Sequence, residues 1–354
     1  MNNSINYSNV IKISLYLVRI ASDNAFEMRP FISRKLLFVC LCVFSLPVIS
    51  ADSIYFGIIG SGSKDTLMKI WSPFLKDMSN KTGYEVEPVI FNDYAGAINA
   101  MKEKRINLAW MGNKSAIEAV DNADAQVFAQ VTNVIGVPGY YSVLITHDQS
   151  GFQGYEDVMK KASEITFGFG DIHSTSGTTV PKYYLFSQKG YSYHDFKQVN
   201  YARHESNFND IVNQKLDVAT ISSGWMQRFR ELYPEKIKNV KILWKSPLIP
   251  SDPFIWHKSL DEDIKKKLKT FFFNYARSKE DKTQTELQLE KKNLSNLKWS
   301  GFIPSHDGRL KYIRILSLNA ELDTLKNDKK LDQAFRDAKI EKIQHSIEKL
   351  NTEM

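Results

Sequence analysis

The stretch that decides the fold is MKEKRINLAW, residues 101–110, together with a second stretch of the same type, IVNQKLDVAT, residues 211–220. Each ends a helical pattern, passes through a polar turn and continues into a short apolar strand. Two copies of one helix-to-strand junction, about a hundred residues apart, predict two lobes of similar architecture. A chance match between two unrelated junctions would produce the same pattern, and it stays open as the alternative.

Around the first copy, short apolar runs alternate with helical patterns. We expect strands over residues 54–59, 85–91 and 106–110, and helices over residues 66–81 and 95–104. This strand–helix–strand order predicts an α/β fold in which helices flank a parallel sheet. The sequence Ser115–Glu118 fits a capping box that opens a further helix.

Two extended runs, residues 140–146 and 240–256, are candidates for crossings between the lobes. The predicted organisation is a discontinuous first lobe from residues 52–145 and 250–300, a second lobe from residues 146–249, and C-terminal helices in residues 301–354. The last helix, residues 331–350, is highly charged with a narrow apolar stripe, which indicates a solvated helix docked on the body. A homodimer contact through that stripe is the alternative.

The N-terminal segment has the three parts of a secretory signal peptide. A basic segment, residues 29–35, precedes the apolar run 36–46, and small residues follow up to Ser50 and Ala51. The apolar run is too short to span a bilayer. We therefore expect residues 1–51 to be an extension and a signal peptide, the latter at about residues 28–51, and the mature protein to be periplasmic.

Composition excludes several classes of site. Both cysteines, Cys40 and Cys42, fall within the predicted signal, so the mature chain would have no disulfide and no cysteine ligand or nucleophile. Removing residues 1–51 lowers the formal net charge from +7 to +4, which is too mild and dispersed to indicate nucleic-acid binding. Residues 168–173 lack the third glycine of a dinucleotide fingerprint, and GSGSKD, residues 60–65, is not a P-loop. We expect no catalytic residues, no metal and no cofactor.

One polar segment, GDIHSTSGTTVP at residues 170–181, exceeds the needs of a simple turn. It follows a strand-like run and precedes an apolar helical one, so Ser174, Thr175 and Ser176 would stand at the start of a helix. Hydroxyl groups, free backbone N–H groups and the positive end of the helix dipole together predict an anion site. The alternative is a single N-cap residue. Pro181 predicts a kink or a delayed helix start.

Several stretches between residues 54 and 275 resemble the phosphonate-binding proteins of phosphonate ABC importers, which are periplasmic solute receptors. The longest are AWMGNKSAIEAVD, residues 109–121, and WKSPLIPSDPFIW, residues 244–256. Shorter matches occur in order and at family spacing: FGII (56–59), DYAGAI (93–98), QVFAQV (126–131), PGYYSVLI (138–145), FGFGD with STSG (167–177) and LDVAT (216–220). The resemblance is weak after about residue 276.

The resemblance implies a type II-like periplasmic-binding-protein fold. Each lobe would be a mostly parallel sheet flanked by helices, and the ligand cleft would lie between the lobes. It also implies a transport receptor rather than an enzyme, which delivers its ligand to an ABC permease coupled to a cytoplasmic ATPase.

The resemblance implies seven ligand-binding residues, namely Tyr94, Tyr140, Ser174, Thr175, Ser176, His204 and Asp252. The three consecutive hydroxyl residues and the histidine would donate hydrogen bonds to the phosphonate oxygens. The two tyrosines would line the cleft. The aspartate would receive an ammonium group where the ligand has one.

One position departs from the family pattern. Members that take aminoethylphosphonate have a glutamate four positions after the LDVAT strand, where this chain has Gly224. An ammonium paired with Asp252 alone would lose a charge-assisted hydrogen bond worth about 1.5–3 kcal/mol. The departure indicates a different phosphonate, or phosphite or phosphate, unless a nearby acid such as Glu205 replaces the missing one.

Two further functions stay open from the sequence alone. The same binding site would serve a ligand sensor that acts on a membrane signalling partner. A phosphonate or phosphate hydrolase on the same scaffold could use His204 and Ser174, but no third catalytic partner is evident.

Overall fold

The computed structural model describes residues 53–327 and 331–352. The predicted signal peptide, with Cys40 and Cys42, lies outside the described residues. The strands are, in chain order, β1 (Ile54–Ile58), β2 (Val86–Ile90), β3 (Leu108–Trp110), β4 (Ala125–Asn133), β5 (Gly139–Tyr140), β6 (Ser142–His147), β7 (Thr166–Phe169), β8 (Gln198–Tyr201), β9 (Val218–Ser222), β10 (Val240–Lys245), β11 (Ile249–Pro250), β12 (Pro253–His257) and β13 (Trp299–Pro304).

The α-helices are α1 (Lys64–Thr82), α2 (Tyr94–Lys102), α3 (Asn113–Asn122), α4 (Tyr155–Lys160), α5 (His204–Val212), α6 (Ser223–Leu232), α7 (Glu262–Asn274), α8 (Gln284–Asn296), α9 (Lys311–Asn327) and α10 (Gln333–Thr352). Between β7 and β8 the chain forms π-helical turns over Thr175–Thr179 and Lys182–Phe186. Short 3₁₀ turns occur at Asp148–Ser150, Ala162–Glu164, Ser187–Lys189, Tyr193–Asp195, Lys236–Asn239 and Asp307–Leu310.

The strands form two large sheets with one shared topology. The first sheet has the order β13-β4-β12-β3-β1-β2, and the second has the order β10-β6-β9-β7-β8. In both, a central strand pairs in parallel with two neighbours: β1 with β2 and β3, and β7 with β8 and β9. We call the parts of the chain built on these sheets the first lobe and the second lobe. This two-lobed α/β fold is the predicted one.

The sequence repeat corresponds to a repeat in backbone geometry. Lys104 and Gln214 occupy the same position in the two copies, and both adopt the left-handed region, with φ of 57° and 54°. In each copy the next N–H reaches back to the carbonyl oxygen five residues earlier, at 2.8 Å. Each copy then enters the third strand of its parallel trio, β3 or β9. The repeat is therefore a structural one rather than a chance match.

The expectation that each sheet is mostly parallel is wrong, because both sheets are mixed. Strand β12 runs antiparallel to β3 and β4, and β6 runs antiparallel to β9 and β10. These two strands carry the chain into each sheet from the opposite lobe. They begin at the edge where the parallel strands end, so they must run in the opposite direction.

Strands β5 and β11, which connect the two sheets, overlap the two extended runs, but most of each run belongs to β6, β10 or β12 of the large sheets. Strands β5 and β11 pair with each other, antiparallel, outside both large sheets. The chain leaves the first sheet through β5 and returns to it through β11. Strand membership agrees with a discontinuous first lobe, although β13 extends that sheet into the segment predicted to hold only helices. The residue boundaries of the lobes stay a prediction.

Each lobe has an aromatic core that follows from the apolar periodicity of its elements. In the first lobe Trp71 of α1 packs against Phe56 and Phe254, with ring centroids 5.3 Å and 6.4 Å away. In the second lobe Phe167 packs against Phe169 at 4.6 Å. Burial of each such side chain stabilises the fold by about 1.5–3 kcal/mol.

The C-terminal helices pack on both lobes. Arg314 of α9 forms an ion pair with Asp121 of α3, and Tyr312 shares a 2.7 Å hydrogen bond with Tyr184 of the second lobe. On α10 only part of the predicted stripe is covered, since Ile343 is buried but Phe335 is 52% exposed. This agrees with a solvated helix docked on the body. Within the described part of the chain, no helix is long and apolar enough to cross a membrane.

Candidate functional site

Strand-to-helix junctions of both lobes converge on a cavity of about 350 Å³. Parallel strands end at one edge of a sheet, and the helices that follow begin there with unsatisfied N–H groups. The residues that come from these junctions and line the cavity are Ser61, Tyr94, Gly112, Ser174, His204 and Ser222. The positive ends of several helix dipoles therefore point at one space, which favours an anion.

The seven residues predicted from the sequence all line this one cavity. They come from the ends of β2, β5, β7 and β8 and from the loop before β12. The serines, the threonine, His204 and Tyr94 are at most 4% exposed. Tyr140 and Asp252 are intermediate in exposure. The structure thus brings together residues that are up to 158 positions apart in the chain.

The hydroxyl segment is held by close packing of two glycines. An added Cβ at Gly177 would lie 2.6 Å from the Cα of Gly170 and 2.9 Å from the Oγ of Ser174. The N–H of Gly170 and the hydroxyl of Thr220 both donate to the Gly177 carbonyl, at 2.8 Å and 2.6 Å. Only glycine permits this approach, so it fixes where the hydroxyl groups stand.

The hydroxyl groups of Ser174 and Thr175 accept hydrogen bonds from backbone N–H groups. Ser174 Oγ accepts a hydrogen bond from the N–H of Gly177 at 3.0 Å, as an N-cap does. Thr175 Oγ1 accepts from the N–H of Lys114 at 2.9 Å. A hydroxyl that accepts still has its own proton to donate. One residue caps the helix, as the alternative supposed, but the neighbouring hydroxyl groups also line the cavity.

The helix after the hydroxyl segment starts without delay. Thr179 donates to the carbonyl oxygen of Ser174 and Val180 to that of Thr175, each five residues back. Pro181 lies in ordinary right-handed helical backbone between the π-helical turns. The predicted delay is therefore wrong. The helix tolerates Pro181 because the carbonyl oxygens of Ser176 and Gly177, which a backbone N–H at this position would reach, accept from the hydroxyl groups of Ser142 and Thr220 instead.

Backbone N–H groups at first-lobe helix starts donate to side chains of the second lobe. Ser63 donates to Glu205 at 2.5 Å, Tyr94 to Asp171 at 3.1 Å, and Lys114 to Thr175 at 2.9 Å. These contacts close the cavity between the lobes. The contact from Lys114 to Thr175 stands where a capping box was predicted, at the start of α3.

Helix α3 begins at Asn113 and is capped by Gly112 without a side-chain hydrogen bond. The hydroxyl of Ser115 instead donates to the carbonyl oxygen of Gly112. The predicted capping box is therefore wrong, because the second lobe satisfies the start of α3 through Thr175.

Asp252 forms the acidic part of the cavity wall. Its Oδ1 accepts hydrogen bonds from Tyr140 at 2.8 Å and from the side-chain amide of Asn113 at 3.3 Å. Burial raises the pKa of Asp252 to about 7, although these hydrogen bonds and the charge of Arg228 oppose the rise. Burial and the Asp252 charge raise the pKa of Tyr140 well above its usual range, so Tyr140 stays a donor.

His204 and Arg228 supply donors on the second-lobe side. Burial, followed by the charge of Arg228, lowers the pKa of His204 to about 3, so the imidazole is neutral at physiological pH. Burial lowers the pKa of Arg228 to about 10, which leaves the guanidinium charged at physiological pH. Arg228 is therefore a buried positive charge in this wall, and the exposed Arg230 and Lys245 line the cavity as well.

Several residues that line the cavity have a buried polar atom without a hydrogen-bond partner among the described residues. They are Ser61 Oγ, Trp110 Nε1, His204 Nδ1 and Arg228 Nε. Buried polar atoms in native proteins are nearly always satisfied by protein or water, so a cluster of unpartnered atoms at one cavity favours a polar ligand there. Ser61, Trp110 and Arg228 were not predicted from the sequence. The sequence feature that could have indicated Arg228 is its place on the same helix face as Trp225 and Phe229, which are buried in α6.

The position of the absent glutamate is open space. An added Cβ at Gly224 would have Ser222 Oγ at 3.9 Å and Arg228 Nη1 at 4.0 Å as its nearest neighbours. Glu205 does not line the cavity. Its carboxylate accepts from Ser63, Thr66 and Tyr233 instead. Glu205 therefore does not replace the missing acid.

No described group of three or more histidine, cysteine, aspartate or glutamate residues is arranged to hold a metal ion.

Comparisons with known proteins agree with this geometry. Residues 56–310 match the family model described as ABC transporter, phosphonate, periplasmic substrate-binding protein. The chain is 41% identical over 296 residues to the phosphonates-binding periplasmic protein of Escherichia coli strain K12, covering 84% of this chain and 85% of that protein. It is 25% identical over 223 residues to a probable ABC transporter phosphite binding protein of Prochlorococcus marinus, covering 61% of this chain and 73% of that one.

Among solved structures, the binding protein component of an ABC phosphonate transporter from Pseudomonas aeruginosa superposes with a TM-score of 0.79. It is 40% identical in sequence, and the match covers 84% of this chain and 96% of that one. The similarity extends over both lobes, so it concerns the whole receptor fold rather than one domain.

Proposed function

Since the chain belongs to the family of periplasmic substrate-binding proteins of phosphonate ABC transporters, we propose that it captures a phosphonate between its two lobes and delivers it to an ABC permease. The observation that carries this proposal is that the hydroxyl segment, His204 and several helix starts line one and the same cavity. Hydroxyl and amide donors suit an oxyanion because they stabilise its charge without the cost of burying further ions.

Ser174, Thr175 and Ser176 bind the phosphonate oxygens through their hydroxyl protons and the first N–H groups of the helix. Neutral His204 adds a further donor. Tyr94 lines the same space, and burial raises the pKa of its hydroxyl, so that group also stays protonated. Tyr140 and Asp252 stand where the organic part of the ligand would lie.

Capture and transport follow from closure of the lobes. A ligand that contacts both lobes stabilises the closed form over the open one by its differential binding energy. The N–H groups of Ser63, Tyr94 and Lys114 then join the second-lobe acceptors described above. The closed receptor presents both lobes to the permease, whose cytoplasmic ATPase drives release. The signal-like residues 28–51 direct export to the periplasm.

The proposal excludes turnover of the ligand. Because the pKa of His204 is lowered and its Nδ1 has no carboxylate partner among the described residues, His204 is poorly suited to act as a general base for Ser174. We expect phosphonates to be bound and released unchanged, and incubation with the protein should free no inorganic phosphate.

Isothermal titration calorimetry tests the proposed function. We expect methylphosphonate to bind with a stoichiometry of one per chain, and the Ser174→Ala, Ser176→Ala double variant to lose about tenfold or more in affinity, because charge-assisted hydrogen bonds are removed. The Ser163→Ala, Ser278→Ala double variant, at two exposed positions outside the cavity lining, serves as a matched control. Phosphite and phosphate are titrated in parallel. If methylphosphonate does not bind while phosphite or phosphate binds tightly, the proposal is wrong and the protein is a receptor for an inorganic oxyanion.

A further inference from the structure

Arg228 is a buried cation that the phosphonate head does not account for. It lies on α6 and is 7% exposed, yet it lines the cavity. Its guanidinium carbon lies 5.1 Å from the centre of the Trp225 ring, and Nη2 donates to the carbonyl oxygen of Leu297 at 2.7 Å. These contacts hold the guanidinium plane in place and leave its other edge toward the cavity.

The unsatisfied atoms near this part of the wall are donors. Arg228 Nε and Trp110 Nε1 have no acceptor within the described part of the chain. Both side chains lie next to the segment that follows α8. Arg228 donates to Leu297, and the ring centres of Trp110 and Trp299 are 5.9 Å apart. Guanidinium and indole N–H groups can only donate. An ammonium group also only donates, so it would leave both of them unsatisfied.

Asp252 does not cancel this preference. Among the described ion pairs none joins Asp252 to Arg228 within 4.0 Å. Asp252 Oδ1 already accepts from Tyr140 and Asn113, so only its Oδ2 could accept from an ammonium group of the ligand. The space beside Arg228 Nη1 is kept open by Gly224, where any larger side chain would fill it. A group of the ligand can therefore reach the guanidinium.

We propose that Arg228 and Trp110 bind an acceptor group at the organic end of the ligand, so that this receptor selects carboxylate-bearing phosphonates over amine-bearing ones. A carboxylate supplies acceptors for both donors and matches the fork of a guanidinium. This inference rests on the proposed function, since the phosphonate head must occupy the hydroxyl segment for the other end to reach Arg228.

Calorimetric titration of the purified protein with three ligands tests the inference. Methylphosphonate sets the baseline for the head group. Phosphonoacetate and aminoethylphosphonate place their terminal polar atoms at the same bond distance from phosphorus. We expect phosphonoacetate to bind about tenfold or more tightly than methylphosphonate, as a charge-assisted hydrogen bond is added. Aminoethylphosphonate should bind no more tightly than methylphosphonate.

Two variants assign the preference to Arg228. Arg228→Gln should lower the affinity for phosphonoacetate at least tenfold more than the affinity for methylphosphonate, so that the two ligands bind with similar affinity. Gly224→Glu keeps the Arg228–Leu297 bond and places a carboxylate beside Nη1, so it should weaken phosphonoacetate and strengthen aminoethylphosphonate. Arg309→Gln is the matched control, because Arg309 is exposed, lies outside the cavity lining, and its replacement removes an equal charge.

The outcomes separate the inference from the proposed function. If methylphosphonate binds but aminoethylphosphonate binds more tightly than phosphonoacetate, the inference is wrong and the proposed function stands. If Arg228→Gln lowers the affinity for all three ligands by the same factor, the guanidinium binds the phosphonate head and the inference is wrong. If none of the three binds the unaltered protein, the proposed function itself fails.

Discussion

At the scale of single residues, the site depends on protonation states that burial sets. Neutral His204, protonated Tyr94 and Tyr140, and charged Arg228 all present donors to the cavity, and Asp252 is the acidic exception. The residue types were evident from the sequence. Their charge states were not, because each depends on how far neighbouring elements exclude water.

Asp252 should make the unliganded protein less stable as pH rises. Its pKa of about 7 in the folded protein exceeds the value of about 4 in an unfolded chain. The folded state therefore holds the proton more tightly, and stability falls between about pH 4 and pH 7 and is level above. We expect Asp252→Asn to be about 1–4 kcal/mol more stable than the unaltered protein at pH 8, and equal to it at pH 4.

Urea unfolding at pH 4, 6 and 8 measures this difference. The exposed Asp281→Asn variant is the control and should match the unaltered protein at every pH. A pH-independent difference for Asp252→Asn would show that lost hydrogen bonds, rather than the buried charge, determine its stability.

At the scale of secondary-structure elements, the start of the π-helical segment positions the hydroxyl groups. Gly177 packs on Gly170 because neither has a side chain. The sequence showed two glycines and three hydroxyl residues, which predicted a helix start near an anion. It could not show that the segment is wound as π turns, since that depends on contacts with β7 and β9.

Replacing Gly177 with alanine should damage stability and binding together. The new Cβ would overlap the Gly170 backbone and the Ser174 hydroxyl, so the helix start must shift, at a cost of about 1–3 kcal/mol. We expect a lower thermal midpoint and weaker methylphosphonate binding in calorimetry. Gly301→Ala, whose Cβ would make only an ordinary 3.7 Å contact with Thr132, should change neither. Unaltered affinity in Gly177→Ala would mean that the hydroxyl positions do not depend on this packing.

At the scale of the whole molecule, closure joins helix starts of one lobe to side chains of the other. Glu205 makes the largest of these contacts, since it accepts from Ser63 and Thr66 of the first lobe and from Tyr233 of the second. Burial alone would raise the pKa of Glu205, but hydrogen bonds from Ser63, Tyr233 and Thr66 hold it below its usual range. The carboxylate is therefore charged wherever the closed form is populated near neutral pH.

Glu205→Gln should weaken closure without changing ligand choice. Loss of the charged acceptor should lower affinity by about three- to tenfold, and by the same factor for methylphosphonate and phosphonoacetate, because Glu205 does not touch the cavity. At one fixed, subsaturating concentration of methylphosphonate, small-angle scattering should show a larger radius of gyration for this variant than for the unaltered protein. The exposed Glu280→Gln variant is the control. A selective loss of one ligand would contradict a role in closure.

The sequence alone predicted the two-lobed α/β fold, and the seven residues that the family resemblance implied all line one cavity. Apolar periodicity and the repeated junction are local signals, and the family motifs carry the site residues with them. Only the tertiary structure decided the mixed sheets, the cap of α3 by Thr175, the engagement of Glu205 and the unsatisfied donors of Arg228 and Trp110. Each of these depends on contacts between lobes or sheets that are distant in the chain, and no local pattern records which partner a buried polar group will meet.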